Sequence, residues 1–168
     1  MKINVLIGDI TQLKVDAIVN AANSSLLGGS GVDGAIHKAA GKHLVEECRK
    51  LNGCHIGDAK LTKGYNLLAK YVIHTVGPVW NGGNKNEKEI LKKCYLNSLK
   101  IASYKNLNSV AFPCISTGRF GFPINLAAEI AISTVRFYLT VDKGMESIYF
   151  VCYDKQNYNE YVKLLELN

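Results

Sequence analysis

Short, β-branched apolar runs alternate along this chain with longer segments of helical period, and few folds accept that order. The short runs are Ile3–Ile7, Ala17–Val19, Tyr71–Val76, Ser109–Ile115 and Ser147–Tyr153, with residues 58–62 as a weaker sixth. They lack strict polar alternation, which suits strands covered on both faces. Between them, Val32–Leu51 places Ile36, Ala39, Ala40, Leu44, Val45 and Cys48 close to a 3.6-residue spacing. Asn86–Ser103 and Ile124–Leu139 repeat that pattern, and a last helix spans about Gln156–Leu167. Strand and helix taken in turn predict an α/β fold: a three-layer α/β/α sandwich around a mixed, mostly parallel sheet.

Length and composition narrow the class. The chain has 168 residues, 48% of them hydrophobic and 20% charged, with only 3 prolines. That suits one globular domain over residues 1–168, large enough to bury a core without a metal or a disulfide. No run approaches the ~20 apolar residues that cross a bilayer. The 5 cysteines are scattered and form no CxxC pair, and the N-terminus carries no signal-peptide pattern. Both point to a reducing, cytoplasmic setting. Cys48, Cys54 and His55 lack a fourth ligand at zinc-finger spacing, so no metal and no cofactor are expected. The net charge of +6 hints at an anionic partner. Lys85, Lys88, Lys92 and Lys93 share one helical stretch without interleaved aromatics, so nucleic acid is not the expected partner.

Glycine is more telling than charge. There are 15, somewhat above the usual ~7%, and they cluster. Gly28, Gly29, Gly31 and Gly34 follow one strand and open a helix; Gly118 and Gly121 follow another. Ligands of open α/β sheets bind beyond the carboxyl ends of the strands. Gly-rich loops and helix N-termini offer free N–H groups that suit phosphate. Two such loops suggest a diphosphate gripped from both sides. The string Gly29-Ser30-Gly31-Val32-Asp33-Gly34 fits GxGxxG by letter. It does not follow its strand directly, however, and the acidic residues at the right distance, Glu46 and Glu47, fall inside a helix, which disfavours a nicotinamide enzyme. An aspartate inside a phosphate loop is unusual, and Asp33 reads either as a helix-start residue or as a working carboxylate.

Five segments then resemble one family. They are Gly8-Asp9-Ile10-Thr11, Asn20-Ala21-Ala22-Asn23, Gly28 to His37, Ile73 to Pro78, and Ser116-Thr117-Gly118-Arg119-Phe120-Gly121-Phe122-Pro123. In this order and spacing the chain resembles a macro domain of the MacroD-type ADP-ribosyl hydrolase class, from about residue 3 to residue 165. The resemblance implies an ADP-ribose cleft at the strand ends.

It also implies roles. Asp9 would accept from the adenine amine and Ile10 would offer its backbone to the ring, where the residues alone also permit a plain helix N-cap. Asn23 would face the distal ribose and the scissile bond. Asn20, counted among the ligand-binding residues, would support the loop, although amides there also suit simple turn chemistry. Gly31 and Val32 belong to the first loop. Asp33 would orient or deprotonate a water that attacks the anomeric carbon, sharing the catalytic role with Asn23; the resemblance equally allows a water held by the substrate phosphate. Ser116, Thr117, Gly118, Arg119 and Phe120 would form the second loop, with backbone N–H groups from Thr117 to Phe120 on the diphosphate and Phe120 over the ribose. Tyr153 would stack on adenine. Phe120 and Tyr153 also read as packing residues, and His37 and His74 as structural ones.

Two positions depart from the family pattern. Ser30 stands where relatives carry glycine, a strained choice if that position needs positive φ. Arg119 stands where relatives carry a small or aliphatic residue. The expected activity is hydrolysis of ADP-ribosyl esters, either O-acetyl-ADP-ribose or mono-ADP-ribosylated Asp and Glu of proteins. The alternative is a non-catalytic ADP-ribose reader. The acidic Gln-Glu-Glu segment of poly-ADP-ribose glycohydrolases is missing, which disfavours cleavage within chains.

Overall fold

A computed structural model describes residues 2–166. Six strands form one sheet: β1 (Lys2–Ile7), β2 (Ala17–Ala21), β3 (Ala59–Lys63), β4 (Tyr71–Thr75), β5 (Ser109–Pro113) and β6 (Ser147–Cys152). Their spatial order is β1-β6-β5-β2-β4-β3. All neighbours run parallel except β3, which pairs antiparallel with β4 at the edge. The weak run at 58–62 is thus a genuine strand, displaced by one residue. Its partner follows after a short connection closed by the Gly64 N–H donating to Lys70 O at 2.8 Å, and a short connection permits only an antiparallel return.

Side-chain alternation along the strands sorts the core into two halves. Ala17, Val19, Ile73, Val110, Phe112, Ile148 and Phe150 pack against α3 (Glu87–Tyr104) and α4 (Ile124–Val141), and Tyr161 of α5 (Lys155–Glu166) joins them. Ile18, Val72, Ala111 and Val151 face the other way, toward α1 (Gly31–Ala40) and α2 (Lys42–Arg49). The expected three-layer α/β/α sandwich follows. α4 is 18 residues long and apolar enough in composition to cross a membrane, but Ala127, Ala128, Ala131, Ile132, Val135 and Leu139 are buried in the first half-core.

The single helix expected over Val32–Leu51 is two helices. Gly41 joins them at φ +88°, and a Cβ there would sit 2.9 Å from Asn66 Nδ2. Glycine alone accepts that conformation at low cost, so the apolar period runs on while the axis breaks. The last helix starts at Lys155, and Leu167, its expected end, lies outside the described residues.

Candidate active site at the carboxyl edge of the sheet

Parallel strands put their carboxyl ends on one edge. Reading across that edge, β1 leads into Asp9, β6 into Tyr153, β5 into the Ser116–Gly121 loop, and β2 into the Asn23–Asp33 segment. From β1 to β2 is three inter-strand steps of about 4.8 Å each. Four sequence segments that lie far apart along the chain therefore form one row roughly 14 Å long.

At the β1 end, Asp9 caps a 3-10 turn, Ile10–Gln12. Its Oδ1 accepts from the backbone N–H of Thr11 at 2.9 Å and from Thr11 Oγ1 at 2.7 Å. Asp9 is exposed while Ile10 is buried. The cap and a second role are compatible, because Oδ2 makes none of these bonds. Beside it the Tyr153 side chain is 92% exposed. An aromatic ring in water on a strand end adds nothing to the core.

The β5 loop is stitched at its ends. Phe122 N–H donates to Ser116 O at 2.9 Å, Gly121 N–H to Gly118 O at 3.0 Å, and Thr117 N–H to Cys114 O at 3.4 Å. Among the described residues the backbone N–H groups of Gly118, Arg119 and Phe120 have no such partner. Thr117, expected to offer its N–H to a ligand, spends it on Cys114. Gly118 is not at positive φ, and nothing lies within 4 Å of where a Cβ would be. Neither backbone conformation nor packing requires glycine there, and without a side chain the loop backbone is open to close approach from outside. Ser116 sits at φ +66°, and its buried Oγ lies against Gly77. Phe120 is half-buried and Arg119 exposed.

A second layer braces this loop. The Trp80 N–H donates to Phe120 O at 2.8 Å, and the Trp80 and Phe122 rings lie 4.8 Å apart. The segment carrying Trp80 is held by Glu87, whose carboxylate accepts from the N–H groups of Asn81 (2.7 Å), Gly83 (2.9 Å) and Lys85 (2.6 Å). Burial opposes ionisation of Glu87, but these N–H donors outweigh it and hold its pKa down at about 2.

The β2 end holds the carboxylate. Ser30 precedes α1 at φ −106°, ψ −176°, extended backbone open to any residue. The strain anticipated for Ser30 does not arise. Asp33 lies in the first turn of α1 and is only 5% exposed. Its Oδ1 accepts from Asn20 Nδ2 at 2.8 Å, and His37 Nε2 lies 3.4 Å from the same oxygen. Oδ2 points elsewhere. A Cβ on Gly29 would stand 2.9 Å from Asp33 Oδ2 and 3.4 Å from Asn23 Nδ2. Asp33 and Asn23 thus flank one space that exists because residue 29 has no side chain. Gly34 is needed for a different reason: a Cβ there would press into Gly29 O.

A family model described as Macro domain matches residues 19–131. The chain belongs to the macro domain family. A macro domain-containing protein of Chlorobaculum tepidum is 57% identical over 166 residues, 96% of this chain and 96% of that one. An O-acetyl-ADP-ribose deacetylase of Escherichia coli K12 is 52% identical over 168 residues, 98% of this chain and 95% of that one. Among solved structures, the Oceanobacillus iheyensis macrodomain with ADP superposes with TM-score 0.93 at 39% identity, covering 97% of this chain and 89% of that one. The Trypanosoma brucei macrodomain in complex with ADP-ribose gives TM-score 0.93 at 43% identity, covering 97% and 68%.

One expectation for this macro domain needs correction. Asn20, expected among the ligand-binding residues, has no exposed surface; its amide donates to Asp33 in the interior, so it supports the loop without meeting a ligand. Asn23 is exposed, but much of its amide serves the loop. Nδ2 donates to Gly28 O at 2.8 Å, and Oδ1 accepts from Ser25 Oγ at 2.6 Å and Leu26 N–H at 3.2 Å. The residues that brace the macro domain from behind, Trp80 and Glu87, were not singled out. A tryptophan beside Gly82 and Gly83 was the available signal.

Proposed function

We propose that this protein binds ADP-ribose along the carboxyl edge of its sheet and hydrolyses ADP-ribosyl esters, both O-acetyl-ADP-ribose and mono-ADP-ribosylated Asp or Glu side chains. The observation that carries the reading is the order of groups along the edge. An aromatic and a carboxylate stand at one end, the Gly118–Phe120 loop in the middle, and at the other end the segment that opens α1 with free N–H groups and holds a buried carboxylate beside an amide. ADP-ribose has the same order: a base, a diphosphate, then the ribose that bears the ester.

In this reading Tyr153 stacks on adenine and Asp9 Oδ2 accepts from its amine. Ile10 supplies backbone to the ring. The N–H groups of Gly118, Arg119 and Phe120 meet one side of the diphosphate. Those of Gly31 and Val32, unpaired because they begin α1, meet the other. Phe120 covers the distal ribose. A water in the space over Gly29 donates one hydrogen to Asp33 Oδ2 and is directed by it at the ester. As the water's oxygen attacks the ester carbonyl, Asp33 takes the proton. The ribose oxygen leaves and is reprotonated, giving ADP-ribose and the free carboxylic acid. A protein ester at the anomeric carbon is also open to attack at that carbon, with the carboxylate as leaving group.

The relatives named as O-acetyl-ADP-ribose deacetylases and the neighbours solved with ADP or ADP-ribose support this reading. The test incubates the protein and its Asp33→Ala variant with O-acetyl-ADP-ribose and, separately, with a protein mono-ADP-ribosylated on acidic residues. Product release by wild type and not by the variant is expected. Tight ADP-ribose binding without release by wild type leaves the reader function in its place.

A further inference from the structure

The buried side of Asp33 continues into a hydrogen-bonded line that reaches the far edge of the sheet. Asn20 Nδ2 donates to Asp33 Oδ1 at 2.8 Å and lies 3.1 Å from His74 Nδ1. On the other side of the ring, His74 Nε2 lies 2.9 Å from Thr62 Oγ1 and 3.8 Å from Cys48 Sγ. Asn20 and His74 have no exposed surface, and Thr62 is 2% exposed. The line crosses three strands and ends on α1: Thr62 on β3, His74 on β4, Asn20 on β2, then Asp33. The register places Asn20 directly beside His74.

One bond sets every donor in it. Asp33 Oδ1 accepts from the amide, which therefore turns Nδ2 toward Asp33. The same nitrogen then presents its second hydrogen to His74, so Nδ1 must accept and Nε2 must carry the proton. Thr62 Oγ1 accepts that proton and selects the tautomer. A protonated ring would set two donors face to face. Burial, and secondarily His37, hold the His74 pKa down at about 3, so the ring stays neutral.

We propose that His74 is a positioning residue for the hydrolytic reaction. Through Asn20 it fixes the rotation of the Asp33 carboxylate, so that Oδ2 is presented to the water space over Gly29. The inference rests on the reading that Asp33 directs the attacking water.

Three variants test it: His74→Leu, His74→Asn and Thr62→Val. Leu fills the space of the ring but accepts nothing. Asn places an acceptor where Nδ1 stands. With O-acetyl-ADP-ribose, His74→Leu is expected to lower kcat by about 10- to 100-fold, with KM and the ADP-ribose Kd near wild type. His74→Asn is expected to recover most of that loss, and Thr62→Val to give an intermediate loss. A residue that only packs would give the reverse order, with Leu tolerated better than Asn. That order, or an unchanged kcat in His74→Leu, overturns the proposal. If His74→Leu does not fold, Thr62→Val decides, and wild-type kcat in that variant overturns it.

Absence of turnover in wild type would refute the assigned reaction and, with it, the hydrolytic role of His74, and would leave of this inference the hold of His74 on Asn20 and Asp33. The Asn20 side-chain amide protons, followed by NMR, then carry the test. Their exchange with solvent is expected to quicken about tenfold when the acceptor at residue 74 is lost. Equal exchange in wild type and His74→Leu overturns the proposal.

Discussion

Gly29 and Asp33 stand so close that a single methyl group on Gly29 would lie 2.9 Å from Asp33 Oδ2. Gly29 does not sit at positive φ, so alanine suits its backbone. The Gly29→Ala variant therefore folds, but its methyl group occupies the space claimed for water. Hydrolysis of O-acetyl-ADP-ribose should fall at least about tenfold, equivalent to about 1.4 kcal/mol of transition-state stabilisation. ADP-ribose affinity, measured by calorimetry, should change less. Wild-type turnover in this variant would place the water elsewhere.

Removal of the Tyr153 ring separates recognition from stability. At 92% exposed the ring leaves no cavity behind. Tyr153→Ala should weaken ADP-ribose binding by about 1–3 kcal/mol, the usual worth of stacking on a base, and leave Tm unchanged. Asp9→Ala should cost a similar ~1–3 kcal/mol of affinity for the loss of a charged hydrogen bond. Calorimetry that shows full affinity in either variant removes that residue from the site.

Gly77→Ala probes the bracing of the second loop. The added Cβ would run into Ser116 Oγ and lie 2.8 Å from Ile115 Cγ2. Overpacking of this kind costs roughly 1–3 kcal/mol, a fall of several degrees in Tm. The displaced groups lead directly into Gly118–Phe120, so ADP-ribose binding should weaken together with stability. A drop in Tm with unchanged affinity would show that the loop does not depend on this contact.

Stability should decline in acid in two stages. His74 is neutral when buried, with its pKa held at about 3, against an ordinary value near 6.5. Below about pH 6.5 the unfolded chain binds a proton that the native state refuses, and this weakens folding by up to about 1.4 kcal/mol per pH unit down to about pH 3. Glu87 is held at about 2. Its contribution is complete above the ordinary carboxylate value near 4.3 and is lost as the pH falls toward about 2. Urea titrations from pH 8 to pH 4 should show a slope that starts near pH 6.5 in wild type and flattens in His74→Leu. The same slope in both would assign the acid sensitivity to other groups.

Strand and helix order was legible in the chain because each element carries its own period. β2, β4, β5 and β6 begin at the residues their apolar runs mark, and each ends within two residues of where its run does. The break at Gly41 was not legible, because the apolar period continues through Ala40 into Leu44. Gly41 takes φ +88° between the two helices, and Asn66, distant in sequence, packs where a Cβ would stand. The same holds for Asn20. NAAN at a strand end looks like loop chemistry until β2 is seen paired with β4, which brings His74 alongside it.

The sequence by itself determined the class of fold, the two glycine loops, and the types of group available to a diphosphate ligand. Local period and turn chemistry act over a few residues, and that range suffices for such features. The tertiary structure alone decided which oxygen of Asp33 is free, what holds the other, and that Glu87 and Trp80 brace a loop distant from them in the sequence. Those relations depend on burial and on hydrogen bonds between strands paired out of chain order. Only packing of the whole sheet creates them, because a buried donor or acceptor can pair only with a group that the fold brings beside it.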